Sequence, residues 1–176
     1  AVQQLSANGK TKAKLRIGLF VPGSHDLLPV PDCPVHHRKI NGLVKVLEDE
    51  CNGLGIPAFV AGEENKTNTN EFGLRYVAIA IERSTQKQQL VLVWKEETNK
   101  SDEKCKLLDN LVKRLTFLSK DKSKKGISLH SIWAHYNNAW KHANSIFDRE
   151  GRWETKFVDD GNKDESNVSV SDSLQG

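Results

Sequence analysis

Two apolar runs, Leu74 to Glu82 (LRYVAIAIE) and Gln89 to Trp94 (QLVLVW), are separated only by Arg83 to Gln88, and this pair restricts the fold most. Their β-branched and aromatic content on either side of a short polar link predicts a β-hairpin. Two helical patterns flank it. Ile40, Leu43, Val44, Leu47, Cys51 and Leu54 recur at intervals of three and four, and so do Leu107, Leu108, Leu111, Val112, Leu115 and Leu118. Each set predicts an amphipathic helix whose single apolar stripe should lie on a sheet.

A second hairpin is expected from Lys14 to Val21 (KLRIGLFV) and Leu27 to Val30, turned by Pro22-Gly23-Ser24-His25. Pro31-Asp32-Cys33-Pro34 supplies a turn before the first helix, and Gly53 to Pro57 stops that helix. Gly62 to Gly73 is a polar loop, Ser119 to Gly126 a basic turn, and Ile127 to His135 a further strand. The order β-β-α-β-β-α-β predicts an α/β fold, a two-layer sandwich with both helices on one face of a mixed sheet. Residues 13–157 would form this domain, after a lead-in over 1–12. Periodicity is lost beyond Trp153, and the polar tail 158–176 has too little apolar content to offset its ordering entropy, so disorder is expected there.

Charge is unevenly placed. From Asp159 onward there are five acids against Lys163 alone, so the rest of the chain carries 25 bases and 18 acids, a net +7. A body of that charge suits a polyanionic partner without requiring one. Neither a membrane-spanning run nor a signal peptide is visible. Cys33, Cys51 and Cys105 are odd in number and widely spaced, which argues against a disulfide framework and for an intracellular, reducing compartment. Cytosol, nucleus and organelle, the chloroplast included, all satisfy that. The absence of methionine and the start at Ala1 suggest truncation or processing.

Candidate chemistry is sparse. Gly53-Leu54-Gly55 follows a helix and leads into Pro57, so it reads as a helix stop and not as a donor-binding glycine turn. Cys33, His36 and His37 are metal-capable at plausible spacing, or else a turn and a helix start. Cys51 and Cys105 lie in or beside apolar stripes and read as core. Lys120, Lys122, Lys124 and Lys125 are phosphate-contact candidates or a solvated turn. Tyr136 and Trp140 are candidates for stacking on unpaired bases. Ile132 and Trp133 should occupy opposite faces of a strand, with at least one of them in the core; Trp133 is read as structural, which leaves Tyr136 and Trp140 as the open stacking candidates.

Several stretches, in order across residues 12–157, resemble the RNA (uracil-5-)-methyltransferase family, especially its plant-type and organellar members. They are Ile17-Gly18-Leu19-Phe20 with Pro22 to His25, then Val30 to His37 with Ile40-Asn41, then Leu74-Arg75-Tyr76-Val77 and Glu82-Arg83-Ser84-Thr85. Val91 to Trp94, His130-Ser131-Ile132-Trp133 and Tyr136-Asn137-Asn138 complete the set.

The resemblance implies a central accessory α/β domain beside an S-adenosylmethionine-binding module. It implies cysteine attack on C6 of a uracil, methylation at C5 and proton abstraction by a base, with tRNA or rRNA as partner. No counterpart of the donor-binding glycines, the nucleophilic cysteine or the general base occurs in these residues, so none is expected to be catalytic here. The resemblance also makes Cys33 one ligand of a 4Fe-4S cluster in the complete enzyme. The alternative is a stand-alone RNA-binding or regulatory module without enzymatic activity.

Overall fold

The computed structural model describes residues 1–5, 13–24, 26–30, 32–59, 72–96, 102–121, 126–139 and 146–160. In chain order the elements are β1 (Val2–Leu5), β2 (Lys14–Phe20), β3 (Leu27–Pro29), α1 (Arg38–Leu54), β4 (Gly73–Ile81), β5 (Gln88–Lys95), α2 (Asp102–Lys120), β6 (Leu129–Tyr136) and β7 (Arg152–Val158). The α/β sandwich expected from the sequence is present, but its strands divide between two sheets. β1-β2-β3 form a small antiparallel sheet, and β4-β5-β6-β7 form a mixed sheet in which β5 and β6 run parallel.

Two strands lie where the sequence signalled none. β1 sits in the expected lead-in and pairs with β2 from Val2↔Ile17 to Leu5↔Lys14. β7 overturns the expected loss of pattern beyond Trp153, since it pairs with β6 as an edge strand. Its residues are mostly polar, and an edge strand with one face toward solvent needs little apolar content. Order continues to Asp159, whose N–H donates to the His130 carbonyl at 2.8 Å and whose carboxylate meets Lys87 at 2.5 Å. Residues 161–176, the bulk of the expected disordered tail, lie outside the described residues, as does most of the polar loop before β4.

Helix α1 starts at His37, whose Nδ1 accepts the Lys39 N–H at 3.2 Å. It ends at Gly55, where φ is 67° and the Ile56 N–H returns to the Cys51 carbonyl at 2.9 Å. That left-handed position is where glycine carries no steric penalty, so Gly53-Leu54-Gly55 is the helix stop the sequence indicated.

Both helices pack on one face of the mixed sheet. Rows across the strands, Leu74–Trp94–Tyr136, Val77–Leu92–Ala134 and Ile79–Leu90–Ile132–Phe157, meet Leu43, Leu47 and Cys51 of α1 and Leu108, Leu111 and Leu115 of α2. Burying such side chains contributes roughly 1.5–3 kcal/mol each, which is what fixes the strand register against slippage. Among the described residues no helix is long and apolar enough to cross a membrane.

Candidate nucleic-acid interface

The predicted site residues fall at two ends of the mixed sheet. Lys120 closes α2, and the turn after it leads to the start of β6, whereas Tyr136 ends that strand. Seven residue steps separate Leu129 from Tyr136, about 23 Å at the usual rise per residue. Lys120 and Tyr136 therefore do not share a site.

The Cys33 turn joins the Lys120 end. Its carbonyl accepts from Asn41 Nδ2 at 3.0 Å, and Asp32 pairs with Lys45 at 2.8 Å, so α1 holds the turn in place. The start of α1 is fastened to the turn after α2 by Gln88, which is fully buried. Its Nε2 donates to the Lys39 carbonyl at 2.6 Å and to the Gly126 carbonyl at 2.8 Å, while Oε1 accepts the Ser128 N–H at 2.5 Å. One satisfied amide thus ties the first turn of α1 to the Gly126–Ser128 segment that leads into β6. Lys122, Lys124, Lys125 and Trp140 lie outside the described residues.

Cys33 is partly exposed, and among the described residues no three His, Cys, Asp or Glu side chains are grouped to hold a metal. A 4Fe-4S cluster takes four ligands, so these residues do not fit one by themselves; Cys33 would need a set completed elsewhere. Cys51 is not such a ligand. It is fully buried in α1, and burial, followed by Glu50 and Glu48, pushes its thiol up to about 12. That is an inert core thiol. The side chain of Cys105 is outside the described set.

Tyr136 occupies the core at 7 % exposure. Its hydroxyl donates to Glu154 at 2.8 Å, and the Arg152 guanidinium lies 3.7 Å from its ring centroid, between Glu96 and Glu154. Burial is the main cause raising its phenol above the ordinary value. The next residues serve the strand end. Asn137 passes its N–H to the Trp94 carbonyl at 2.9 Å, and Arg75 Nη1 is shared among the Asn137 carbonyl, Asn137 Oδ1 and the Ala139 carbonyl at 2.8–3.0 Å. Phe59 covers that guanidinium at 4.5 Å.

The face of the mixed sheet turned away from the helices was not singled out from the sequence. Tyr76, Val93, His135 and Trp153 form one row across β4, β5, β6 and β7, and Ala78, Val91, Trp133 and Thr155 form the next. Trp153 is 48 % exposed, and Tyr76 and Trp133 are half-buried. Trp133 Nε1 donates to Ser131 Oγ at 3.2 Å. His135 is fully buried between Phe147 at 5.5 Å and Trp153 at 4.4 Å, and its Nε2 accepts the Asp148 N–H at 2.9 Å. Trp133 lies on the face opposite Ile132, as the alternation of the strand predicts, and on the side away from the helices.

The fold defined by these elements is an α/β sandwich with one helix-covered and one aromatic sheet face. No protein-family model matches the chain. It is 31% identical over 148 residues to a protein of Protochlamydia amoebophila named as an uncharacterized RNA methyltransferase, covering 82% of this chain and 33% of that protein. A Clostridium tetani protein, also named as an uncharacterized RNA methyltransferase, is 26% identical over 108 residues, covering 61% of this chain and 21% of that one. The chain is thus a distant relative of proteins so named, and it spans about a third and about a fifth of their lengths.

Proposed function

We propose that this chain is an accessory domain of an S-adenosylmethionine-dependent RNA (uracil-5-)-methyltransferase, positioning tRNA or rRNA rather than transferring the methyl group. The observation that carries the reading is the 148-residue likeness to an RNA methyltransferase of which this chain spans only a third. The uracil-5 assignment rests on the ordered stretches from Ile17 to Asn138 that resemble that family.

The described residues are consistent with a positioning role. Among the described residues, Gly53-Leu54-Gly55 ends α1, and Cys51 is a fully buried, inert thiol. S-adenosylmethionine would supply the methyl group from a module beyond this domain, and any 4Fe-4S cluster would take Cys33 as a single ligand. The domain's own contribution would be affinity and orientation, which lower the entropic barrier to a bimolecular reaction.

Calorimetry with S-adenosylmethionine, run beside a methyl-transfer assay on uridine-containing RNA, tests this. The purified chain should bind RNA with salt-weakened affinity and should neither bind the donor nor methylate. Donor binding by the chain alone would overturn the division of labour.

A further inference from the structure

We infer that His135 and the Asp148 N–H form a proton-operated latch: taking up a proton at the imidazole releases residues 147–151 from the mixed sheet.

His135 is a fully buried residue of β6. Its Nε2 accepts the Asp148 N–H at 2.9 Å, so the neutral ring must carry its proton on Nδ1, which is buried without a partner. A second proton could go only to Nε2, where it would point at the Asp148 N–H. Two donors would then face each other, and the charged ring would be buried with no acceptor at either nitrogen. Rotation in place offers no escape. A Cβ at Gly151 would stand 2.4 Å from His135 Cε1, Phe147 meets the ring edge-on at 5.5 Å, and Trp153 covers it at 4.4 Å. The imidazolium reaches water only if this cover lifts.

The charges facing the ring do not hold it in place. Asp148 favours protonation, but burial outweighs it. Its Oδ1 accepts the Glu150 N–H at 3.2 Å, and Arg149 and Glu150 are exposed. In the row across the strands, β5 contributes Val93, β4 Tyr76 and β7 Trp153, none of them a carboxylate. Arg75, which also feels Asp148, donates to the Asn137 and Ala139 carbonyls. Arg152 and Glu154, the neighbours of Trp153, pair with each other beside Tyr136 on the opposite face. Ties on either side mark where an opening would stop. Asn137 Nδ2 donates to the Ile146 carbonyl at 3.1 Å, and β7 pairing with β6 begins at Arg152.

If the closed form takes no proton and the open form titrates near the ordinary histidine value of about 6.5, the opening constant rises by about 20-fold between pH 7 and pH 5. Amide hydrogen exchange of the full chain, read residue by residue by NMR at both pH values and corrected for intrinsic exchange, tests this. Protection of the Asp148 N–H should fall by about 20-fold and be insensitive to low urea, because a local opening exposes little surface. Leu92 in the central strand should remain more protected and respond to urea. In His135→Gln, which does not titrate, Asp148 protection should be the same at both pH values. Equal protection at both pH values in the wild-type chain overturns the latch. So does a loss at Asp148 that matches Leu92 in size and urea slope, because that is global unfolding and not release. A folded His135→Gln chain that keeps the pH dependence assigns it to another group and overturns the latch as well. The first two outcomes are read from the wild-type chain alone, so they decide the matter even where the variant does not fold.

Discussion

The Asn52 side-chain amide accepts the Leu15 N–H at 2.8 Å and donates to the Leu15 carbonyl at 3.0 Å, so helix α1 pairs strand β2 as a neighbouring strand would. Glu48, one turn earlier, extends the mimicry. Its Oε1 accepts the Ile17 N–H at 2.7 Å, and its Oε2 meets Arg16 at 2.9 Å. The part of β2 that β3 does not reach, at Leu15 and Ile17, is thereby paired without a further strand.

Asn52→Ala should leave both Leu15 backbone groups without partners. Each lost partner in a part-buried site costs about 1–3 kcal/mol. Urea unfolding should show a drop of about 2–4 kcal/mol with an unchanged slope. A loss below about 0.5 kcal/mol would mean that water replaces the amide.

Gly42→Ala sets two effects against each other. Alanine in a helix interior is favoured by about 1 kcal/mol over glycine. A Cβ at Gly42, however, would stand 2.9 Å from the Gly126 carbonyl oxygen, where α1 crosses the turn after α2. Backbone must shift to admit it, at a cost of about 1–3 kcal/mol, so the net change should be destabilising in thermal melts. Gly53→Ala, with nothing within 4 Å, is the control and should be neutral or stabilising.

Burial holds the His135 imidazole below its ordinary range, with Asp148 opposing more weakly. The folded state therefore keeps it neutral where the unfolded chain, near pH 6.5, has begun to take up a proton. Its contribution to stability is full above about pH 6.5 and is lost as pH falls toward the depressed folded value. Unfolding free energy should decline from pH 7 to pH 5, and His135→Gln should flatten that decline. Equal slopes in both proteins would assign the dependence to other histidines.

At the β4–β5 turn, Glu82 accepts from Thr85 Oγ1 and N–H and from Ser84 N–H and Oγ, at 2.5–2.8 Å. These bonds, Thr85 Oγ1 foremost, bring its carboxyl down to about 2. In an NMR titration the Ser84 and Thr85 amides should hold their shifts down to pH 3 and move only near pH 2. Movement near pH 4 would show that the four-donor turn does not persist in solution.

Much of the fold was legible because long amphipathic helices and apolar strands carry strong periodic signals. Ile40 to Leu54 and Leu107 to Leu118 became the cores of α1 and α2, and the Leu74–Trp94 region became the central hairpin. The site was less so. Tyr136 was nominated for base stacking as an aromatic near histidines, but parity turns it into the core, while Trp133 and Trp153 stand on the open face. Composition identifies rings; only strand register says which way they point.

The amino-acid sequence by itself determined which segments bury an apolar stripe, where α1 must stop and how charge divides between body and tail, because these depend on neighbours a few residues apart. The tertiary structure alone decided that β1 and β7 are strands, that α1 side chains close the edge of β2, and that one sheet face is left to aromatic residues. Polar segments such as Arg152–Val158 have no local reason to be extended; they become strands because a hydrogen-bonding edge, supplied by β6 from elsewhere in the chain, is there to pair with.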